Sequence, residues 1–299
     1  MSAPSLPELR KGTLLGAAAY GMWGLFPLFW PLLRPAGPVE VLAHRVLWSL
    51  LVVAVLLKLT GSWAAVRAVP RPQVWRLSLA AALLAVNWGT YIYGVNSGQV
   101  VETSLGYFIN PLVSVGLGVL VLGERLRRAQ KAAVAAAALA VVVLSVENGR
   151  PPYLALVLAF SFGFYGLLKK QAGVGAVPSL AIETAVLAPL AAAFVLATAG
   201  GTAVSHGPGH LGLLALSGLV TTVPLLAFGA AATRVPLTTL GVLQYIAPTL
   251  QLLLGVLLRH EPFGAARAVG FALVWAALAV FTADLVGERR RAVPVPVVA

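Results

Sequence analysis

Two charged residues, Arg45 and Glu183, interrupt runs of sequence that are otherwise almost wholly apolar. A charge in a hydrocarbon interior costs about 2.5–3.5 kcal/mol on insertion scales, so each calls for a partner or a watery cavity. At 1.5 Å per residue, Arg45 lies roughly 9 Å inside the outer end of its run and Glu183 roughly 8 Å inside the inner end of its own. Across a core of about 30 Å the two differ in depth by more than ~10 Å, so they are not expected to pair. They are read as polarising opposite ends of one cavity, with Lys169 or Lys170 available to Glu183 when the inner end is closed. The alternative is a snorkelling Arg45 and an interfacial Glu183. His44, next to Arg45 and one turn after Glu40, is either a proton-coupling residue or a helix-packing hydrogen bond. His206, His210 and His260 are expected in solvated outer loops.

The polar groups of the interior come at helical spacing. Thr103, Tyr107, Asn110 and Ser114 recur at i, i+4, i+7 and i+11 and share one face of a membrane-length helix. The pattern returns 137 residues on, the distance from Pro111 to Pro248: Ile246, Leu254, Gly255, Val256, Leu257 and Glu261 fall on Ile109, Leu117, Gly118, Val119, Leu120 and Glu124. Gln244 then falls on Tyr107 and Gln251 on Ser114. Asn87, Trp88, Tyr91 and Gly94 line a third helix, and Thr221, Thr222, Pro224 and Phe228 line its counterpart in the second copy. With Tyr245, Trp23 and Phe26 these make a candidate substrate cavity, aromatic-walled with sparse hydrogen-bonding groups, suited to small, partly apolar molecules. Pro27, Pro111, Pro189, Pro224 and Pro248 each free a carbonyl within a helix, tolerable where a neighbour or cavity water takes it.

Composition narrows the classes. The chain has 299 residues, 60% of them hydrophobic and 10% charged, with mean hydropathy +0.92. Soluble domains carry nearer a quarter charged residues, so the expectation is an all-α integral membrane protein in a lipid bilayer. The net charge of +12 sits at the ends of apolar runs rather than on one face, which argues for topology and against nucleic acid. There is no cysteine, hence no thiol chemistry or zinc-thiolate site. One aspartate, Asp284, leaves no paired-Asp chemistry, His260-Glu261 lacks the second histidine of HExxH, and no GxxxxGK[ST] loop is present. The expectation is a non-enzyme, without metal or other cofactor.

The elements that must position these residues are ten apolar runs of membrane-crossing length: 12–33, 39–59, 74–95, 101–122, 129–147, 152–170, 178–200, 211–233, 237–258 and 264–286. Connections are short except 60–73 and 200–210. Sixteen Lys and Arg at run ends fall on the side of the N-terminus and four on the other, which orients both termini to the cytoplasm. An offset spanning five helices inverts the second copy. The reading is two inverted five-helix repeats, 12–147 and 152–286, with tails 1–11 and 287–299. Inverted repeats enclosing a midplane site are a transporter signature. The fifth run, AQKAAVAAAALAVVVL, has little beyond alanine and valine and is read as scaffold or as the surface of a homodimer. Glu124 with Arg125, Arg127 and Arg128 is read as an interfacial salt-bridge cluster.

The segments AYGMWGLFP, LAHRVLWS, NWGTYIYGVN, SLGYFINPL, LGERLRRAQ, LAFSFGFYGLLKK, IETAVLAPL, GLVTTVPLLAFGAAATR and LQYIAPTL resemble the RarD branch of the EamA-type drug/metabolite transporters, from Lys11 to Val286. The resemblance implies ten transmembrane helices, cytoplasmic termini and export of a small metabolite or drug, and the expected location is the inner membrane. RHEP at 259–262 departs from the family's usual GEKP or GEKF ending.

Overall fold

The computed structural model describes residues 6–122, 128–232, 234–235 and 243–292, and every regular element among them is helical. α1 spans Leu6–Gly24 and continues into a short helix, Phe26–Phe29, and a 3-10 turn, Trp30–Leu33. α2 is Pro38–Thr60, α3 Arg71–Asn96, α4 Val100–Leu122 and α5 Arg128–Asn148. α6 is Tyr153–Ala172, α7 Ala176–Ala197 and α8 Gly207–Ala232. α9 is Ile246–Leu253, prolonged by a π-helical segment, Leu254–Leu258, and α10 is Ala265–Ala292. The two long connections are not plain loops: each holds a short helix, Trp63–Arg67 and Gly201–Ser205. The expected Glu124, Arg125 and Arg127 cluster lies outside the described residues.

Among the described residues, five helical stretches are long and apolar enough to cross a membrane: Pro7–Leu33, Pro38–Thr60, Arg71–Asn96, Val177–Ala197 and Gly207–Phe228. Val134–Val146, Tyr153–Lys169, Ile246–Leu258 and Ala265–Val280 are shorter apolar helices. The arrangement is inside-out for water. Leu59 and Leu196 stand 77% and 79% exposed, with Leu51, Val86, Val146 and Leu190 likewise on the outside, whereas Arg45, Asn87, Glu183, Thr221 and Gln251 are buried. Lipid, which offers no hydrogen bonds, suits the first set. Several small hydroxyls are satisfied within their own helices, as in Thr103 to the Val100 carbonyl, Thr184 to Leu180 and Ser217 to Leu214.

Helix neighbours follow a regular scheme. α6 lies against α3 and α4, while α1 lies against α8 and α9; α2 packs on α7 and α8, and α3 on α7. α4 packs on α9 and α5 on α10. The directions can be read from the contacts. Val53 and Leu57, late in α2, share a cluster with Leu180 and Ala181, early in α7, whereas Ala43 and Val46, early in α2, share one with Ala191, late in α7. α4 and α9 are also antiparallel, since Val100 meets Glu261 while Phe108 stacks on Tyr245 at 6.4 Å.

Two glycines allow close approach. A Cβ on Gly106 would sit 2.8 Å from the Ala155 carbonyl oxygen, so α4 and α6 touch backbone to backbone there. A Cβ on Gly218 would sit 2.5 Å from Trp48 Cβ and 2.9 Å from Ser49 N, which holds α8 directly on α2.

Candidate functional site

The α2–α8 contact at Gly218 sets the position of Arg45. One turn along α8 from Gly218, Thr221 Oγ1 accepts a 2.6 Å hydrogen bond from Arg45 Nε. The guanidinium lies 3.7 Å from the centroid of Trp88, 5.0 Å from Trp30 and 5.7 Å from Phe26. Arg45 is 2% exposed, and its Nη1 has no partner among the described residues. Removing such an ion from water costs several kcal/mol, whereas a desolvated cation–π contact returns about 2 kcal/mol. The rings reduce the deficit without supplying a counter-charge.

The break after α1 that brings Phe26 and Trp30 to Arg45 has a sequence cause. Proline has no N–H, so Pro27 leaves the carbonyl four residues earlier, Trp23, without its helical donor, and Pro31 does the same to Pro27. Both carbonyls are taken from α9 and the segment after it: Gln251 Nε2 donates to Trp23 O at 3.2 Å and Arg259 Nη2 to Pro27 O at 2.8 Å. Pro189 and Pro224 lie inside α7 and α8. Pro248 corrects its expectation. It stands in the first turn of α9, where backbone N–H groups have no intrahelical acceptor, so it frees no carbonyl of that helix.

Asn87 is a bridge between three helices. Its Nδ2 donates to the Leu158 carbonyl at 2.9 Å and to Ser161 Oγ at 3.0 Å, and its Oδ1 accepts from Tyr107 Oη at 3.1 Å. Tyr107 also packs edge-on against Tyr91, with ring centroids 5.5 Å apart. Arg45, Asn87, Trp88, Tyr91, Tyr107 and Thr221 therefore form one group. Trp23 belongs to a second, with Tyr20 at 5.2 Å and Phe228 at 5.7 Å. Tyr245 is placed by its stacking on Phe108, and Gln244 sits beside it in the turn that precedes α9.

Glu183, also 2% exposed, is in a third group with a full set of donors. Its Oε1 accepts from Lys169 Nζ at 2.7 Å and Ser179 Oγ at 2.8 Å, and its Oε2 from Tyr165 Oη at 3.3 Å. Ser179 and Tyr165 were not singled out in the sequence. The signal was there: Ser179 is four residues before Glu183 and Tyr165 four before Lys169, so each pair shares a helix face. Trp30 was missed too, because only the proline break turns it towards Arg45.

Two carboxylates have architectural roles that their sequence surroundings concealed. Glu261 accepts from the backbone amides of Val100 at 2.7 Å and Val101 at 2.8 Å, capping α4 from the far half of the chain. Glu40 accepts from Thr202 N at 2.6 Å and Thr202 Oγ1 at 2.8 Å, closing the start of the Gly201–Ser205 helix. His210 corrects the expectation of solvated outer histidines: it is buried at 9% exposure, with Nε2 2.8 Å from Thr202 Oγ1, because the short helix folds over it. His206 and His260 are exposed.

Several buried polar atoms have no protein partner among the described residues, and most fall on the expected cavity residues: His44 Nε2, Arg45 Nη1, Tyr91 Oη, Asn110 Oδ1, Thr222 Oγ1 and Gln251 Oε1. Buried polar atoms in folded proteins are usually paired with protein or with ordered water, and these six come from five helices, α2, α3, α4, α8 and α9. The expected residues do not line the cleft of about 220 Å³ bounded by Gln99, Glu102, Arg150, Glu261 and Arg267, nor the open one of about 730 Å³ along Pro7–Ala18 of α1.

Helices with an apolar exterior and a buried polar interior define a multi-pass membrane protein. The EamA-like transporter family matches residues 10–146. A Streptomyces exfoliatus protein named RarD is 56% identical over 95% of this chain and 92% of its own length. A Bacillus subtilis protein described as an uncharacterized transporter, YojE, is 41% identical over 95% of this chain and 97% of its own. A crystal structure superposes with TM-score 0.59 at 22% identity, covering 93% of this chain and 98% of that one, a likeness of fold. The chain belongs to the RarD group of EamA-like transporters and is a membrane transporter.

Proposed function

We propose that the chain is a secondary carrier that exports small metabolites or drugs across the inner membrane by alternating access between two inverted five-helix halves, both termini cytoplasmic. The observation that carries this reading is the set of unpartnered buried polar atoms on α2, α3, α4, α8 and α9, which draws donors and acceptors from both halves. A solute held there would satisfy them.

The neighbour scheme supports the inverted repeat. Exchanging each helix with the one five places away turns the α6 contacts with α3 and α4 into the α1 contacts with α8 and α9. It also turns α3–α7 into α8–α2 and leaves α2–α7, α4–α9 and α5–α10 unchanged. The counterparts α2 and α7, and α4 and α9, run antiparallel, as a flipped copy requires. The family match over residues 10–146 is about the length of one half. Two interchangeable halves can rock about a shared site to open on either side.

The second reading, a facilitator or exchanger without proton coupling, draws on Glu183. The buried acid of α7 is already paired with Lys169 at 2.7 Å, which leaves no free carboxylate there to carry a proton. Flux in proteoliposomes with and without an imposed pH gradient separates the two. Accumulation that follows the gradient supports proton coupling, and accumulation unchanged by it supports the facilitator. Absence of protein-dependent flux for every solute enriched in the medium of overexpressing cells overturns both.

A further inference from the structure

Among the described residues Arg45 is a cation without an anion. Its guanidinium is 2% exposed, Trp88, Trp30 and Phe26 surround it, and Thr221 gives it only a neutral oxygen. Five carboxylates whose side-chain contacts are described are engaged elsewhere: Glu8 with Arg234, Glu40 with Thr202, Glu102 with the Leu154 amide, Glu183 with Lys169 and Glu261 with the start of α4. Aromatic faces attract a cation through their quadrupole but carry no net charge, so the field of the guanidinium is uncompensated. A fixed charge held in that state is half of an ion pair, and its other half must come from outside the described chain.

We propose that the missing half is the transported solute, an organic monoanion with a carboxylate on a small, flat apolar body. This rests on the carrier reading above and names the substrate class of that site. Nε of Arg45 is used by Thr221, which leaves Nη1 without a partner among the described residues, and the hydroxyl of Tyr91, one turn beyond Trp88 on α3, is unpartnered there too. Two free donors match the two oxygens of a carboxylate. A single uncompensated cation suits one negative charge, and Lys169 is already paired with Glu183. A phosphate dianion would bring an unbalanced charge into the same interior. The surroundings favour an apolar body: Trp88, with the guanidinium over its ring at 3.7 Å, and the edge-to-face pair Tyr91 and Tyr107 are aromatic.

The test uses the purified full-length protein and a panel of matched probes: benzoate and phenylacetate, their neutral amides, and phenethylamine. Binding is read by tryptophan fluorescence and, independently, by the shift in thermal unfolding. The expected result is saturable binding of at least one carboxylate, ten-fold or more tighter than its amide, with no response to the amine. Arg45→Gln should abolish that preference, and Tyr91→Phe should weaken carboxylate binding several-fold while amide binding is unchanged. Equal affinity for acid and amide, or no response to either carboxylate, overturns the proposal, and neither comparison depends on a variant that must fold. An equivalent response to chloride or inorganic phosphate assigns Arg45 to a small inorganic counter-ion and overturns it as well. Carboxylate binding without carboxylate flux in proteoliposomes retains the anion site and overturns the carrier reading. Flux of a neutral solute that is unaffected by Arg45→Gln retains the carrier and overturns the anion site.

Discussion

Glu261 is the residue whose loss should tell most about how the two halves hold together. Its two oxygens accept from Val100 N at 2.7 Å and Val101 N at 2.8 Å, and both residues are essentially inaccessible to water, at 0% and 1% exposure. Hydrogen bonds to a charged group contribute about 1.5–3 kcal/mol each, and an anion at a helix N-terminus adds up to about 1 kcal/mol. Glu261→Ala removes the acceptors of two buried amides, so the expected destabilisation is about 3–5 kcal/mol. Glu261→Gln keeps one acceptor oxygen and loses the charge, for about half of that. α4 carries Tyr107 two turns beyond the cap, so fraying here should also lower transport. The assay is equilibrium unfolding in mixed micelles by SDS titration, read by the fluorescence of the chain's seven tryptophans. A loss below about 1 kcal/mol for Glu261→Ala, or equal losses for the two variants, would refute the capping argument.

Two further outcomes are expected from the same measurement. Lys169→Met strands the buried Glu183 carboxylate on two hydroxyls and should cost about 3 kcal/mol, the low end of the range for a broken buried pair; adding Glu183→Gln should recover at least about half of it, and strict additivity would deny the pair. Gly106→Ala places a methyl 2.8 Å from the Ala155 carbonyl and should cost about 1–3 kcal/mol by forcing α4 off α6, whereas a neutral effect would show that the helices slide freely.

Most of the fold was legible because membrane spans announce themselves: long apolar runs bounded by Lys and Arg leave little choice of element. That Arg45 and Glu183 take different partners agrees with counting residues into their runs, and Lys169 was one of two lysines expected near Glu183, although the pair bridges consecutive helices. What escaped were relations between distant segments. Nothing near Glu261 reveals that its partners are amides about 160 residues earlier. The His210–Thr202 contact depends on a helix of five residues, too short for periodicity to signal. Pro27 showed that a carbonyl would be freed, but not that Gln251 would take it, and the Pro27 carbonyl taken by Arg259 had no counterpart in the sequence reading. Gln251 was expected as a cavity wall, and in the structure its amide nitrogen is committed to Trp23 while only its oxygen is free.

The central claim is that the second five helices are a flipped copy of the first, and the absence of native cysteine makes it directly measurable. Gly37 and Gly175 are exposed at the starts of α2 and α7, counterpart positions where a side chain meets at most ordinary contact. The measurement is labelling of Gly37→Cys and Gly175→Cys in intact cells with a membrane-impermeant maleimide. The account predicts that position 37 reacts from outside and position 175 only after permeabilisation; reaction of both from the same face would contradict it.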